Sequence, residues 1–367
     1  MSMKVTGSGI VYPSGEIQLT PGYTGFRNLL INGDMPFDQR HCGAAYTVPT
    51  TDYTLDRWMV GSSVASKLSV QRVNDVPNGF DSALRVSVAA KYAPAAAEAF
   101  TLQQRIEGVN VTGLAFGTSG AMHVTTSHWI RSSVPGKYAV GLTNGAANRS
   151  IVGTMDVTTN WTRLAITFPG DTAGVWWGGN LTGLSLRFDL GSGANFTAPT
   201  PGVWQDGNYA SAPGCIQFVN QAIGASLDIT GAQLEPGIIA TPFERTPIDL
   251  SERRCQRYYA KTFPQGTAPG RGLGVLGALG ICTDSTPSYR LVEWTLPATM
   301  RSTPSLGTYS PFDNSINFCN SLANATSTPG GISVTDRHVL LAINNGQTMS
   351  TPAPDAFYIH VTADAEL

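Results

Sequence analysis

Charge is what this sequence has least of. Lys, Arg, Asp and Glu make up 13% of its 367 residues, against roughly 25% in an average soluble protein. That shortage argues against long salt-bridged helices. Net charge is −2, and no cluster of Lys or Arg rises above background. A groove that tracks phosphates needs several basic side chains on one face, so nucleic acid is not an expected partner. No apolar run approaches the roughly 20 residues of a membrane helix, so membrane insertion is not expected. The N-terminus lacks a basic flank followed by an apolar run, which disfavours a secretory signal. The five cysteines, Cys42, Cys215, Cys255, Cys282 and Cys319, are odd in number, widely spaced and without a CxxC pair. Zinc held by cysteine is disfavoured, and small buried thiols are expected instead.

What the chain has in quantity is glycine, 40 residues, and proline, 23, beside 42% hydrophobic residues. Uncharged polar side chains must cover the surface, which suits many short strands joined by tight turns. The length predicts two domains and a short appendage. Residues 1–25 form the appendage. In it, Val5 to Tyr12 and Gly15 to Leu19 alternate around Pro13-Ser14-Gly15, as in a hairpin that needs a neighbour for stability. Residues 26–246 carry a series of alternating segments: 67–73, 83–88, 100–106, 122–130, 138–142, 161–168, 184–190 and 227–234. Period-two alternation sends one set of side chains to a core and the other outward. So many strands predict a two-sheet antiparallel, jelly-roll-like sandwich. Residues 247–260 predict a connector helix, in which Asp249 caps the start and Glu252 reaches back as in a capping box. Residues 261–367 return to short strands, clearest at 290–296, 338–343 and 357–362, with a turn at Asn344-Asn345-Gly346. The fold class expected is therefore all-β: a sandwich, a short helix, then a second small β domain.

One group of segments resembles a known family. Arg27 to Met35, including Asn32-Gly33-Asp34, is followed by Phe37-Asp38-Gln39-Arg40 and by Tyr53-Thr54-Leu55-Asp56-Arg57-Trp58. Together they are similar to the opening of phage tail-fibre and related virion proteins. Thr230 to Gly237 with Gln233 and Glu235, the link Ala240 to Arg245, the helix Glu252 to Tyr259 and the ending Thr362 to Leu367 match the later segments of that family in order. The resemblance implies a carbohydrate-binding-module-like jelly roll, often in a homotrimeric appendage, and carries no catalytic residue set. Residues 1–25 and most of 261–355 lie outside it. Read physically, Asn32, Asp34, Gln39, Arg40, Asp56, Arg57, Trp58, Gln233 and Glu235 are fold determinants. Asp56 is expected to pair with Arg57 over the Trp58 indole, with Gln233 and Glu235 serving backbone groups near Arg40 or Arg57. Asn32-Gly33-Asp34 is expected to turn the chain into the sandwich.

Sugar binding uses aromatic faces, with amides and carboxylates on the hydroxyls. Trp176, Trp177 and Asn180 on one Gly-rich segment, and Trp204, Asp206 and Tyr209 on another, are the candidate glycan contacts. Two adjacent tryptophans cannot both enter one core face, so one is expected to be exposed. The competing reading is that these rings cover loop ends or fill a subunit interface. Hydrolysis would need two opposed carboxylates. Asp171, Asp189, Asp206, Glu235 and Glu293 are scattered and suggest no pair. No G-x-S-x-G elbow occurs. His123 and His128 are expected on opposite faces of a strand, and His41-Cys42 reads as a loop contact. No cofactor is expected, and a structural calcium ion is conceivable without support in the spacing.

These observations predict a non-enzymatic bacteriophage virion protein of tail-fibre or receptor-binding type, assembled in the bacterial host cytoplasm. It would contact host-surface polysaccharide, dock to other virion proteins through residues 1–25 and form a homotrimer. The alternatives are a purely structural capsid fibre or decoration protein and, less favoured, a glycan depolymerase.

Overall fold

The structure, a computed structural model, describes residues 4–6, 9–11, 17–18, 25–283, 290–320, 326–327, 329–343 and 355–367. Alternation along the strands decides which side chains meet. In Leu68–Val73, Leu68 and Val70 are buried while Ser69 and Gln71 are half-buried. In Ala83–Val88, Leu84, Val86 and Val88 are buried while Arg85 and Ser87 are not. Six strands form one sheet, in the spatial order Thr162–Phe168, Val124–Ser132, Ser226–Pro236, Ala83–Val88, Leu68–Val73, Tyr46–Thr47. Seven form the other: Gln205–Asp206, Arg149–Val157, Gly136–Asn144, Thr182–Ser192, Ala99–Glu107, Met59–Ser62, Asp52–Tyr53. Neighbours in both sheets pair antiparallel.

The two inner faces share one core, including Val70, Val86, Val124, Ile130 and Ile229 on one side and Leu102, Ile106, Val140, Leu186 and Phe188 on the other. Each such side chain contributes roughly 1.5–3 kcal/mol on burial, so the sandwich is held by this core rather than by its few charges. Every alternating segment expected in residues 26–246 is a strand, with ends that shift by a few residues. Five further strands were not expected: Tyr46–Thr47, Asp52–Tyr53 and Gln205–Asp206, too short to show alternation, and Met59–Ser62 and Arg149–Val157, in which Gly61 and Gly153 interrupt it. His123 is exposed, while His128 is buried with Nε2 3.2 Å from Met155 Sδ and its ring edge-on to Phe188. Burial and then the nearby Arg163 pull the His128 pKa down to about 3, so this histidine is a neutral core residue.

In the N-terminal segment the two expected arms do pair, Gly9–Val11 antiparallel with Ile17–Gln18. The first arm is shorter than expected, because Lys4–Thr6 is a separate strand that pairs antiparallel with Gly9–Val11. The Pro13-Ser14-Gly15 turn lies outside the described residues, as does Asn344-Asn345-Gly346. The helix spans Ile248–Gln256 and corrects the capping-box expectation. It is flanked by Pro247 with no side-chain cap, which leaves Asp249 inside the first turn. Glu252 accepts from Gln256 Nε2 at 3.0 Å instead of reaching back. Asp249 then acts only through its charge at the positive end of the helix.

In the last part of the chain, Asp355–Asp364 is the central strand. It pairs with Tyr259–Lys261, Leu279–Thr283, Ser305–Tyr309 and Phe318–Asn320. Arg290–Thr295, His338–Ile343 and Pro329–Val334 form a smaller sheet. A second core, with Phe318, Val339, Leu341, Phe357, Ile359 and Val361, lies among these strands. Among the described residues no helix is long and apolar enough to cross a membrane. Cys42, Cys215 and Cys255 are free thiols, and only Cys255 is fully buried.

The segments that carry the family resemblance meet where the sandwich, the helix and the C-terminal strand join. The chain turns at Leu55–Trp58, with Trp58 N–H 2.9 Å from the Leu55 carbonyl and Arg57 at φ +70°, so its three side chains leave in different directions. Asp56 therefore pairs with Gln39, accepting from its N–H at 2.7 Å and from Nε2 at 2.5 Å. Trp58 enters the core and donates Nε1–H to the Asn32 carbonyl at 2.9 Å. Arg57, 1% exposed, forms an ion pair with Glu366 and lies 3.5 Å over the Tyr258 ring. The expected Asp56–Arg57–Trp58 stack is thus corrected. Arg40 covers the Tyr259 ring at 3.9 Å and reaches Asp364 at 2.9 Å and Glu366 at 3.4 Å. Burial works against both guanidinium charges, but the surrounding acidic groups, Glu366 foremost, together more than offset it, so both pKa values are raised.

Gln233 and Glu235 are also placed differently from expectation. Gln233 donates to Glu235 at 2.7 Å and accepts from Glu244 N–H at 2.8 Å, and Glu235 accepts from Thr241 N–H at 2.9 Å. They hold the Thr241–Glu244 link, because that link returns along the closing strand, and they do not serve Arg40 or Arg57. Asn32, at φ +57°, donates to the Phe37 and Asp56 carbonyls at 2.8 and 2.9 Å, and Asp34 lies 3.7 Å from Arg245. Gly33 passes so close to the closing strand that a Cβ would lie 2.2 Å from the Ala232 carbonyl oxygen. Backbone must move to admit it, so Gly33→Ala is expected to cost about 3 kcal/mol in denaturant unfolding. An unchanged midpoint would refute the close approach.

Candidate functional site

The six residues expected to contact glycan do not share one surface. Trp176 and Trp204 meet with centroids 5.3 Å apart and near-perpendicular planes, and Phe116 completes the cluster at 4.7 and 5.8 Å. All three lean on the sandwich core. Trp176 donates its indole N–H to the Ala173 carbonyl at 3.1 Å, and Trp204 donates to the Pro169 carbonyl at 2.7 Å. Asp206 joins this loop end through Arg149, which reaches it at 2.9 Å and clamps Asp171 through Nε and Nη2 at 2.5 and 2.8 Å. These rings and charges tie loops together. Trp177 is the exposed member of the tryptophan pair, at 38%. Asn180 faces elsewhere, donating to the Arg301 carbonyl at 2.7 Å while Arg301 returns a bond to the Asn180 carbonyl. Tyr209 packs against the small cluster of Ala139, Val152, Ala198 and Ala212 on the outer face of the seven-stranded sheet.

That outer face carries a groove of about 180 Å³. Its floor comes from three adjacent strands. Gly61 and Ser62 are on Met59–Ser62, Thr101 and Gln103 on Ala99–Glu107, and Arg187 on Thr182–Ser192. Register aligns Gly61 with Thr101 and Gln103 with Arg187. One wall is the chain after Ser192, which contributes Phe196, Asn208 and Ala210, and Thr51 and Ser63 stand at the opposite rim. The lining is hydroxyl, amide and guanidinium, with one aromatic ring and no carboxylate. Sequence reasoning passed over these residues. Alternation in 184–190 and 100–106 does place Arg187, Thr101 and Gln103 opposite the core, but nothing local says that a distant loop folds over them.

Asp189, two residues beyond Arg187, fastens that loop. It is 1% exposed and accepts from the Gly191 N–H at 3.1 Å and the Ser192 hydroxyl at 2.6 Å. Burial pushes its pKa up to about 6, with the Ser192 hydroxyl pulling back. The other scattered acids are engaged separately. Asp171 is on Arg149, Glu235 on Thr241, and Glu293 on His338 at 2.7 Å. His41 stacks on Tyr46 at 4.0 Å, while the Cys42 sulfur lies 3.6 Å from Lys261 Nζ. Among the described residues, no group of three or more His, Cys, Asp or Glu is arranged to hold a metal.

Two outcomes follow from these placements. Trp176→Ala and Trp204→Ala should each lower stability by about 2–3 kcal/mol, whereas Trp177→Ala should cost under about 1 kcal/mol. Equal losses at all three positions would contradict the division of roles. Asp189 binds its proton more tightly folded than unfolded, so its contribution is full below about pH 4 and lost as pH rises through about 6. Asp189→Asn should therefore gain stability relative to the parent between those pH values in paired thermal melts. A pH-independent difference would sink the assignment.

No protein-family model matches the chain, and no curated protein sequence does. Among solved structures, it is similar over 57% of its length to the enzymatically active domain of bacteriophage CBA120 tailspike protein 4, at 12% identity and TM-score 0.32, and spans 21% of that chain. It is also similar, over 57% of its length, to a putative sugar binding protein from Bacteroides thetaiotaomicron, at 10% identity and TM-score 0.32, spanning 100% of that chain. A third similarity, again over 57%, is to TmCBM61 in complex with beta-1,4-galactotriose, at 11% identity and TM-score 0.28, spanning 99% of that chain. Superpositions this loose carry no functional argument.

Proposed function

We propose that this chain is a structural protein of a bacteriophage particle, of tail-fibre or receptor-binding type, whose sandwich contacts a host-surface glycan without cleaving it. The observation that carries the glycan contact is the groove on the seven-stranded sheet. Thr101, Ser62, Gln103, Asn208 and Arg187 offer donors and acceptors of the kind sugar hydroxyls need, and Phe196 offers a ring for an apolar sugar face. Hydrolysis would need two carboxylates flanking the bond, and the groove lining has none. The particle role rests on the ordered resemblance of residues 27–40, 53–58, 230–259 and 362–367 to virion fibre proteins.

A homotrimer is part of the same reading. Val109, Val175, Trp177 and Leu181 are exposed apolar side chains on neighbouring stretches, joined by the Val109 N–H to Gly179 carbonyl bond at 2.9 Å and the Gly108 N–H to Leu181 carbonyl bond at 2.8 Å. A sister subunit or another virion protein would cover such a strip. Three copies of one groove would raise a weak single-site affinity through multivalency.

The test is retention of the full chain on immobilised bacterial surface polysaccharides, with eluates assayed for new reducing ends. Retention without new ends is expected, and Thr51→Trp at the exposed rim should weaken it at least 10-fold. New reducing ends would favour a depolymerase, and retention unaffected by the rim substitution would remove the groove from the account.

A further inference from the structure

Arg187 is half-buried on the outer face of the seven-stranded sheet, in the floor of the groove. Arg57, Arg149 and Arg257 each hold a carboxylate: Glu366, Asp171 and Glu107. Arg187 holds two amide oxygens instead. Its Nε donates to Gln103 Oε1 at 3.1 Å and its Nη1 to Asn208 Oδ1. No carboxylate pairs with it among the described residues. A guanidinium carries five N–H donors in a planar fork, so three remain. Its in-register neighbour on the other side is Gly141, which has no side chain to cover it.

The surroundings add no negative charge. Burial, and after it the nearby Arg105 guanidinium, pull the Arg187 pKa down to about 10, so the group is still a cation at neutral pH. Gln103 and Asn208 fix the fork from two sides, and Arg187 lines the groove directly. A buried charge that lacks a counter-ion is costly until one arrives. The fitting counter-ion is planar and takes two parallel N–H bonds from the free part of the fork.

We propose that Arg187 receives the carboxylate of an acidic sugar, a uronic acid unit within the polysaccharide that the groove contacts. This rests on the glycan-contact reading above and names its ligand class. Phe196 would lie against the sugar ring, and Thr101 would meet a hydroxyl. Fixing the fork with two amides in place of an acid keeps the charge available, while Asp189, the nearest acid along the strand, is turned to the Gly191 and Ser192 loop.

The experiment measures binding of the full chain to three acidic polymers, polygalacturonate, alginate and hyaluronan, each beside its carboxyl-reduced form, and to a sulfated glycan. Wild-type protein should bind at least one acidic polymer at least 10-fold more tightly than its reduced form, and salt should weaken that preference. Arg187→Gln should weaken acidic binding at least 10-fold and the reduced polymer far less, so that the two forms bind alike, while Thr51→Trp, which leaves Arg187 in place, should weaken both and keep the preference. Equal binding of acidic and reduced forms, or an Arg187→Gln protein that keeps the preference, overturns the inference. Preference for the sulfated glycan overturns the carboxylate assignment. Binding of neutral polymers alone overturns the inference and leaves the glycan reading standing, whereas binding of no polymer overturns both. Circular dichroism of both variants separates a lost contact from a lost fold.

Discussion

Two guanidiniums buried against one carboxylate hold the parts of this protein together. Arg57 and Arg40 come from the entry to the sandwich, and Glu366 comes from the far end of the chain. Tyr258 and Tyr259, just after the helix, supply the rings beneath the two arginines. Once these groups leave water, none can lose its partner cheaply, because an unpaired buried charge costs several kcal/mol. Around them, Glu107 binds Arg257 and Tyr258, and the Leu367 carbonyl accepts from Tyr53 and Arg105. The joint thus fixes the last residues against the edge of the seven-stranded sheet.

The same constraint shapes the groove. The tail carbonyl lies on Arg105, next but one to Gln103 on the strand that supplies the groove floor. The chain after Ser192, fastened by Asp189, covers the other side of that outer face. Between the two the sheet stays open, and the groove occupies that opening. Its one cation is therefore set by strand register, and its walls by contacts distant in sequence.

The sandwich was legible because alternation reports burial directly. Leu84, Val86 and Val88 spell their face with no outside information, as do Leu184, Leu186 and Phe188. The two longer strands that were missed carry glycines, which blank out the alternation, and the other three have only two residues each, too few to show one. The importance of Gln39, Arg40, Arg57 and Trp58 was legible as a pattern, but their partners were not, since Glu366 and Tyr259 approach from more than 200 residues away. Local reading instead paired Arg57 with its neighbours, and a turn with positive φ defeats that pairing. Tryptophans drew attention as sugar contacts because of their chemistry, yet Trp176 and Trp204 donate their N–H groups to backbone carbonyls and close a loop end. Arg187 drew none, since an arginine on a solvent-facing strand position looks ordinary until the loop above it is known.

The measurement that bears most directly on this account is a double-mutant cycle of Arg57→Met and Glu366→Gln, read by equilibrium denaturant unfolding of the full chain. Each single substitution should cost about 3–5 kcal/mol, and the double should cost less than their sum by at least about 2 kcal/mol. Losses that simply add, within about 0.5 kcal/mol, would mean that the two residues do not depend on each other, and the charge joint would not be what couples the sandwich to the end of the chain.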